Sequence, residues 1–184
     1  MATGIIPSQW LLSNIAPIFK KGSSHDPNNY RGVAMEDIML KIGEKLIKDA
    51  IMNHLLTNRM INRTQHGFMP QKSTVSNLIE YLDDITKMME NGDSVSVLMT
   101  DFSKCFDKLS KKLIVYCLEE RYSIEGNLLE WIKNLLNGRK QRVVLNGSIS
   151  EWIEVKSGCV QGILGPIIAL CLQDTINEHI KYAK

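Results

Sequence analysis

Apolar residues recur along this chain with two different periods, and the switches between them mark its elements. Up to position 34 turn formers break the pattern. Lys20 to Asn29 is dense in Gly, Ser, Asp, Pro and Asn, and it separates Ile15–Phe19 from Tyr30–Val33. These pieces read as short extended segments joined by loop. From Asp37 a helical period takes over: Ile38, Ile42, Leu46, Ile47 and Ile51 recur three to five apart with Lys and Glu between, and Leu55 and Leu56 carry the pattern to Asn58. Gln65 to Pro70 is loop. Ser73 or Thr74 then caps a second helix that presents Leu78, Leu82, Ile85 and Met89 on one face and ends near Asn91-Gly92. Val95 to Met99 alternates in the manner of a buried strand, which places Asp101 at its tip. Leu113–Leu118 and Leu128–Leu136 read as two helices separated near Gly126. Arg142–Leu145 and Trp152–Val155 flank Asn146-Gly147-Ser148 as a hairpin whose loop exceeds the two-residue type. From Gly165-Pro166 the pattern is apolar and helical to the end.

Several helices and few strands, with no internal repeat, low-complexity tract or linker, predict one compact α+β unit. A chain of 184 residues is long enough to bury a sizeable core. With 44% hydrophobic and 23% charged residues, wholesale disorder is excluded as a class. The net charge of +2 gives no bulk argument for nucleic-acid binding, so only local basic clusters bear on that. Cys105, Cys117, Cys159 and Cys171 are far apart, and the four histidines have no zinc-type spacing, which argues against a disulfide framework or a zinc site. Pro7 and Pro17 interrupt the first apolar stretch, so no signal peptide is read. The longest apolar run, Ile163 to Leu172, is too short to span a bilayer. A cytoplasmic or nuclear protein, not secreted and without membrane contact, is the expectation.

Tyr81-Leu82-Asp83-Asp84 spells a YxDD tetrapeptide, the form in which many reverse transcriptases carry two catalytic carboxylates. Here it precedes Asp101 and lies inside a helical period, with both aspartates away from Leu78, Leu82 and Ile85. It reads as a solvated helix face.

Other blocks are more informative in combination. Asn14 to Gly22 and Asp26-Pro27-Asn28-Asn29-Tyr30-Arg31 come first, then Gln65-His66-Gly67-Phe68 with Lys72-Ser73-Thr74. Asp101 to Asp107 follows, then Trp131 through Arg139-Lys140-Gln141-Arg142 to Gly147, then Ser157 to Pro166. In this order they resemble the reverse transcriptase domain of non-LTR (LINE-like, jockey-like) retrotransposons, and they cover almost the whole chain. The resemblance implies a right-hand polymerase fingers plus partial palm, with helices around a small, mainly antiparallel sheet. Fingers would occupy about residues 1–92 and the partial palm about 93–184. The implied activity is RNA-directed DNA polymerisation on an RNA template and DNA primer with dNTP substrates.

The chemistry fits the residue types. Nucleotide addition uses two Mg²⁺ ions about 4 Å apart, and hard cations take oxygen ligands. By resemblance Asp101 is the catalytic carboxylate and a metal ligand, with the Phe102 backbone carbonyl beside it. Phe106 is the steric gate against a ribose 2′-hydroxyl; the lesser alternative is a core aromatic packed under the sheet. Gln161 and Gly162 support the nucleotide, glycine allowing close backbone approach. Arg31 pairs with the triphosphate. Lys20, Lys72 and Arg139 contact nucleic-acid backbone.

The pattern also departs from the family. Val160 stands where a proline is usual, and one residue fewer separates Gly162 from Leu164, which turns a following helix by about 100°. Gly32, Gln71 and Cys105 replace a usual proline, glycine and alanine. No Asp-Asp pair follows Pro166. One aspartate does not hold two Mg²⁺ ions against their hydration shells, so the expectation is a domain truncated after its second palm block and inactive in isolation. The alternative is a non-catalytic module retained for binding RNA or protein. A maturase-like relative of group II introns fits the opening and glycine-rich blocks less well.

Overall fold

The computed structural model describes residues 4–99, 105–159 and 162–180, with the side chains of Cys105 and of residues 176–180 left aside. It is an α+β fold in which the hydrophobic core is helical and the sheet lies to one side. A short 3-10 turn leads into β1 (Leu12–Phe19), which pairs antiparallel with β2 (Tyr30–Met35) across the turn-rich loop. β1 also runs parallel to β3 (Lys140–Leu145), whose other edge takes β4 (Ser148–Ile149) and β5 (Ile153–Glu154), both antiparallel. Three of the four pairings are thus antiparallel. Pro17 sits in a central strand without cost, because the parallel pairing ends at Ile15 opposite Val143 and its missing N–H has no ladder bond to make there.

The β3–β4 connection is tighter than the sequence suggested. Leu145 pairs with Ser148, so Asn146-Gly147 is a two-residue loop, with φ of 49° and 82° at its centre. Positive φ at both positions is what Asn-Gly supplies most readily. A break follows, bridged by Ser150: its N–H donates to the Val143 carbonyl (3.0 Å) and its hydroxyl accepts from the Val143 N–H (2.9 Å).

The helices are α1 (Ile38–Thr57), α2 (Thr74–Glu90), the one-turn α3 (Cys105–Lys108), α4 (Lys111–Tyr116) running into a π-turn, α5 (Gly126–Leu136) and α6 (Gly165–Ile180). Asp37 caps α1 by accepting from the Met39 N–H (2.7 Å), and Ser73 caps α2 in a reciprocal box with Ser76. Leu40, Ile47, Ile51 and Leu55 of α1 pack with Ile114, Tyr122, Trp131, Ile132, Leu135, Leu164, Ile168 and Leu170 in the core.

Two expected faces are turned differently. Ile38, Ile42 and Leu46 are exposed, and the buried stripe of α1 runs through Leu40, Gly43, Glu44, Ile47, Ile51 and Leu55. α2 forms over the expected residues but buries none of them, and its apolar face, with Leu78, Leu82 and Met89, is open. Asp83 pairs with Lys87 one turn on, so the YxDD tetrapeptide lies on a solvated helix as its period indicated.

The strand expected at Val95–Met99 does not form among the described residues. The segment is irregular and its side chains are mostly exposed, Leu98 to 87%. An alternating run becomes a strand only where a neighbour takes its backbone N–H and C=O groups, and none of β1–β5 pairs with it.

Candidate nucleotide and nucleic-acid site

The core is stitched to the first half of the chain by a buried carboxylate. Asp174 of α6 accepts from the Asn62 N–H (3.1 Å) and from the Tyr122 hydroxyl (3.2 Å), with the Arg121 guanidinium 3.9 Å away. The loop that follows Asn62 carries Gln65 to Phe68. Its His66 is buried, with its ring nitrogens 2.9 Å from the Ser76 hydroxyl and 2.6 Å from the Glu80 carboxylate. The fingers-like loop is therefore fixed at one end to α6 and along its length to α2.

A second set of contacts joins the two palm-like blocks, α3 and the segment Ser157–Cys159. The Cys159 N–H donates to the Phe106 carbonyl (2.9 Å), the Gly158 N–H to the Leu109 carbonyl (2.8 Å) and the Ser157 hydroxyl to the Asp107 carbonyl (3.0 Å). Gly158 has φ of 87°, and a Cβ there would stand 2.5 Å from the Phe106 carbonyl oxygen. Glycine is needed at 158 for both reasons.

These contacts close one side of a cleft of about 330 Å³. The β1–β2 hairpin supplies Ile15, Gly32 and Ala34, α3 supplies Phe106, and Arg139, Lys156 and Cys159 complete the wall. Phe106 is half-buried, with its ring against the core and also lining the cleft.

Arg139 is only 6% exposed. Burial holds its guanidinium below its usual range, opposed by the neighbouring Glu36, Cys159 and Glu44. Its Nη1 has no hydrogen-bond partner. Behind it Glu44 is fully buried and its Oε2 accepts from the N–H groups of Ile163 (2.7 Å) and Leu164 (3.4 Å). Burial and the adjacent Glu36 push the Glu44 carboxyl up to about 7. Burial likewise raises Glu36, whose two carboxylate oxygens are buried without partners. A Cβ on Gly162 would overlap Glu36 Oε2 and stand 2.5 Å from Glu44 Oε2.

The remaining sequence-designated residues are spread around this centre. Arg31 is exposed on β2, and Lys20 is exposed where the hairpin loop begins, its N–H donating to the Asn29 carbonyl (2.8 Å). The Lys72 amine donates to the Arg63 carbonyl, and Lys72 borders a separate hollow of about 300 Å³ with His66, Phe68 and Asn77. Asp101, Phe102 and Gln161 lie outside the described residues. The pair Glu36 and Glu44 went unread in the sequence. The signal for it is Glu44 itself, a carboxylate at a core position of an otherwise apolar helical stripe.

Among the described residues no group of three or more His, Cys, Asp or Glu side chains comes together in a way that would hold a metal ion. The expected ligands Asp101 and Phe102 lie outside that set. No helix among the described residues is long and apolar enough to cross a membrane.

Helices around a small mixed sheet, with hairpin and palm blocks facing one cleft, make this the fingers-and-palm class of α+β fold found in template-directed polymerases. Residues 18–183 match the family model described as reverse transcriptase (RNA-dependent DNA polymerase). The chain belongs to that family.

Proposed function

We propose that residues 1–184 are the fingers, over about residues 1–92, and part of the palm, over about 93–184, of a reverse transcriptase from a non-LTR retrotransposon. In this reading the chain holds RNA template and DNA primer and receives a dNTP in the cleft. The observation that supports it best is the docking of α3 on Ser157–Cys159, with Phe106 turned to the cleft that the β1–β2 hairpin shares. Polymerases need those same blocks together, because the sugar of the incoming nucleotide passes between them.

Asp101 and the Phe102 carbonyl are the proposed catalytic and Mg²⁺-binding groups, and Phe106 gates the sugar. Gln161 and Gly162 support the nucleotide, with Arg31 on its phosphates. Lys20 and Lys72 are proposed for nucleic-acid backbone. Arg139, in the cleft wall, is proposed with them for nucleic-acid backbone.

One carboxylate beside one carbonyl is too few ligands for two magnesium ions. The polypeptide 1–184 alone is therefore expected not to extend a primer. Primer extension on an RNA template with Mg²⁺, beside RNA binding at several salt concentrations on the same preparation, tests both halves. No extension with salt-dependent RNA binding is the expected result. Extension that Asp101→Ala abolishes would overturn the inactivity.

The second reading is a non-catalytic RNA- or protein-binding module. It is favoured by the unpaired Val95–Met99 segment leading to Asp101, together with the open apolar face of α2. RNA binding indifferent to Asp101→Ala and Phe106→Ala would favour it further.

A further inference from the structure

The centre of α1 carries a charged residue where packing calls for an apolar one. Glu44 lies between Leu40 and Ile47 on the buried stripe and is itself fully buried. A buried carboxylate is costly unless hydrogen-bonded or paired, so one in a core stripe asks for a reason. Here it has two backbone partners, the N–H groups of Ile163 and Leu164. Those amides belong to the turn leading into α6, just ahead of its first residue Gly165. The carboxylate reaches them from 119 and 120 residues away in sequence. A Cβ at 162 would displace the Glu36 and Glu44 carboxylates, which reach to within van der Waals distance of this backbone.

We propose that Glu44, backed by Glu36 and Arg139, is a positioning residue for the Gly162 turn. Its carboxylate, carried on α1, holds the backbone of Ile163 and Leu164 and fixes where that turn meets the cleft. The assignment of the turn to the nucleotide rests on the reading proposed above; the latch itself does not. α1 and α6 are thereby joined through a polar contact as well as through packing, and any shift of α1 is transmitted to the Gly162 turn.

The groups facing the latch come from four places. Glu36, with Lys41 beside it, precedes and opens α1, and Arg139 comes from the α5–β3 turn. Cys159 faces Arg139 from the Ser157–Cys159 segment, and the two N–H donors come from the lead into α6. Two carboxylates thus lie near one guanidinium, and Glu44 alone takes the two amide donors. Glu44 takes up a proton near neutrality, and in its neutral form it still accepts from an N–H. The turn therefore stays attached on both sides of that titration while its electrostatic surroundings change.

The test is amide hydrogen exchange and amide chemical shift at Ile163 and Leu164 in the 1–184 chain, with the buried Ile132 amide of α5 as reference. Hydrogen bonds to a charged acceptor contribute about 1.5–3 kcal/mol. Glu44→Ala should accordingly speed exchange at Ile163 by about ten- to hundredfold relative to Ile132. Glu44→Gln keeps an acceptor oxygen and loses the proton. It should keep the protection and abolish a shift titration of the Ile163 amide centred near pH 7 in the unsubstituted chain.

Unchanged relative exchange at Ile163 in a folded Glu44→Ala chain would overturn the proposal. Should that variant fail to fold, Glu44→Gln decides: a flat Ile163 profile supports the latch, and a titration like the unsubstituted chain's refutes it. Failure of the unsubstituted chain to bind RNA would count against the reverse transcriptase reading and leave these amide measurements standing.

Discussion

Glu44 and Gly158 show how single residues set this structure. The ordinary carboxyl value of 4.5 is raised to about 7 at Glu44, chiefly by burial and then by Glu36. Between those two values the folded chain holds a proton that the unfolded chain has released. The stability from this group is therefore full below about pH 4.5 and is lost as pH rises to about 7, a loss of about 3 kcal/mol over the window. Urea midpoints at pH 5 and pH 8 should fall by less in Glu44→Gln than in the unsubstituted chain, and parallel curves would refute the assignment. Gly158→Ala places a Cβ against the Phe106 carbonyl and the Asp107 backbone at a positive φ. Backbone cannot swing aside as a side-chain tip can, so a loss of about 2–4 kcal/mol is expected. An unchanged denaturation midpoint would show that the Ser157–Cys159 segment yields more easily than its three hydrogen bonds imply.

At the scale of elements, sequence patterning succeeded where an element's identity is local and failed where it depends on a distant partner. α1, α2, α5 and α6 form where the apolar period put them, α2 with the cap read at Ser73, since helical hydrogen bonds close within the segment. The face each helix buries is a tertiary matter. Ile38, Ile42 and Leu46 satisfy a helical period as well as Leu40, Ile47 and Ile51 do, and a glutamate in the second stripe hid it. The Val95–Met99 run shows the same limit for strands, because alternation states a preference and only a neighbouring strand realises it. Asn146-Gly147 was legible as a turn, but its two-residue closure depended on the break at Ser150 that lets β3 take two short partners. Of the candidate site, Phe106, Gly162 and Arg139 were legible from ordered blocks, whereas Glu36 had no sequence signature. α2 gives an element-scale prediction. Its capping box joins Ser73 and Ser76 reciprocally, yet it buries no residue and is tied to the rest through the His66 contacts to Ser76 and Glu80, so little of its stability comes from the apolar core. Ser73→Ala should lose about 1 kcal/mol of local stability. That corresponds to about fivefold faster exchange at the Ser76 and Asn77 amides with no change in the thermal midpoint of the whole chain. A lowered midpoint would mean that α2 is coupled to the core after all.

The whole molecule divides its stability unevenly, and this bears on what a polymerase fold needs from its parts. Nearly all of the buried apolar residues belong to α1, the α4 region, α5, α6 and their connections, while the strands contribute to the buried set only the polar Ser13. The sheet is held by its own ladder and by partial contact, and Ile18, Phe19, Met35, Ile149 and Ile153 leave apolar surface uncovered. Open apolar surface on strands and on α2 favours association between chains. Hydrogen exchange should resolve two tiers: amides of α1, α5 and α6 opening only with global unfolding, and those of α2, β4 and β5 opening locally at lower free energy. Asp174 lies between the tiers, because its buried carboxylate ties Asn62 and the fingers-like loop to α6. Asp174→Ala takes the acceptor from the Asn62 N–H, while the Tyr122 hydroxyl keeps the Cys171 carbonyl at 2.9 Å; a buried donor left unmade costs about 1–3 kcal/mol. If the Gln65–Phe68 loop depends on that tie, its amides should move into the locally opening tier in this variant while Ile132 stays in the other. Equal loosening of both would instead mean that Asp174 stabilises the core as a whole, and that the fingers-like loop is held chiefly through His66 and α2.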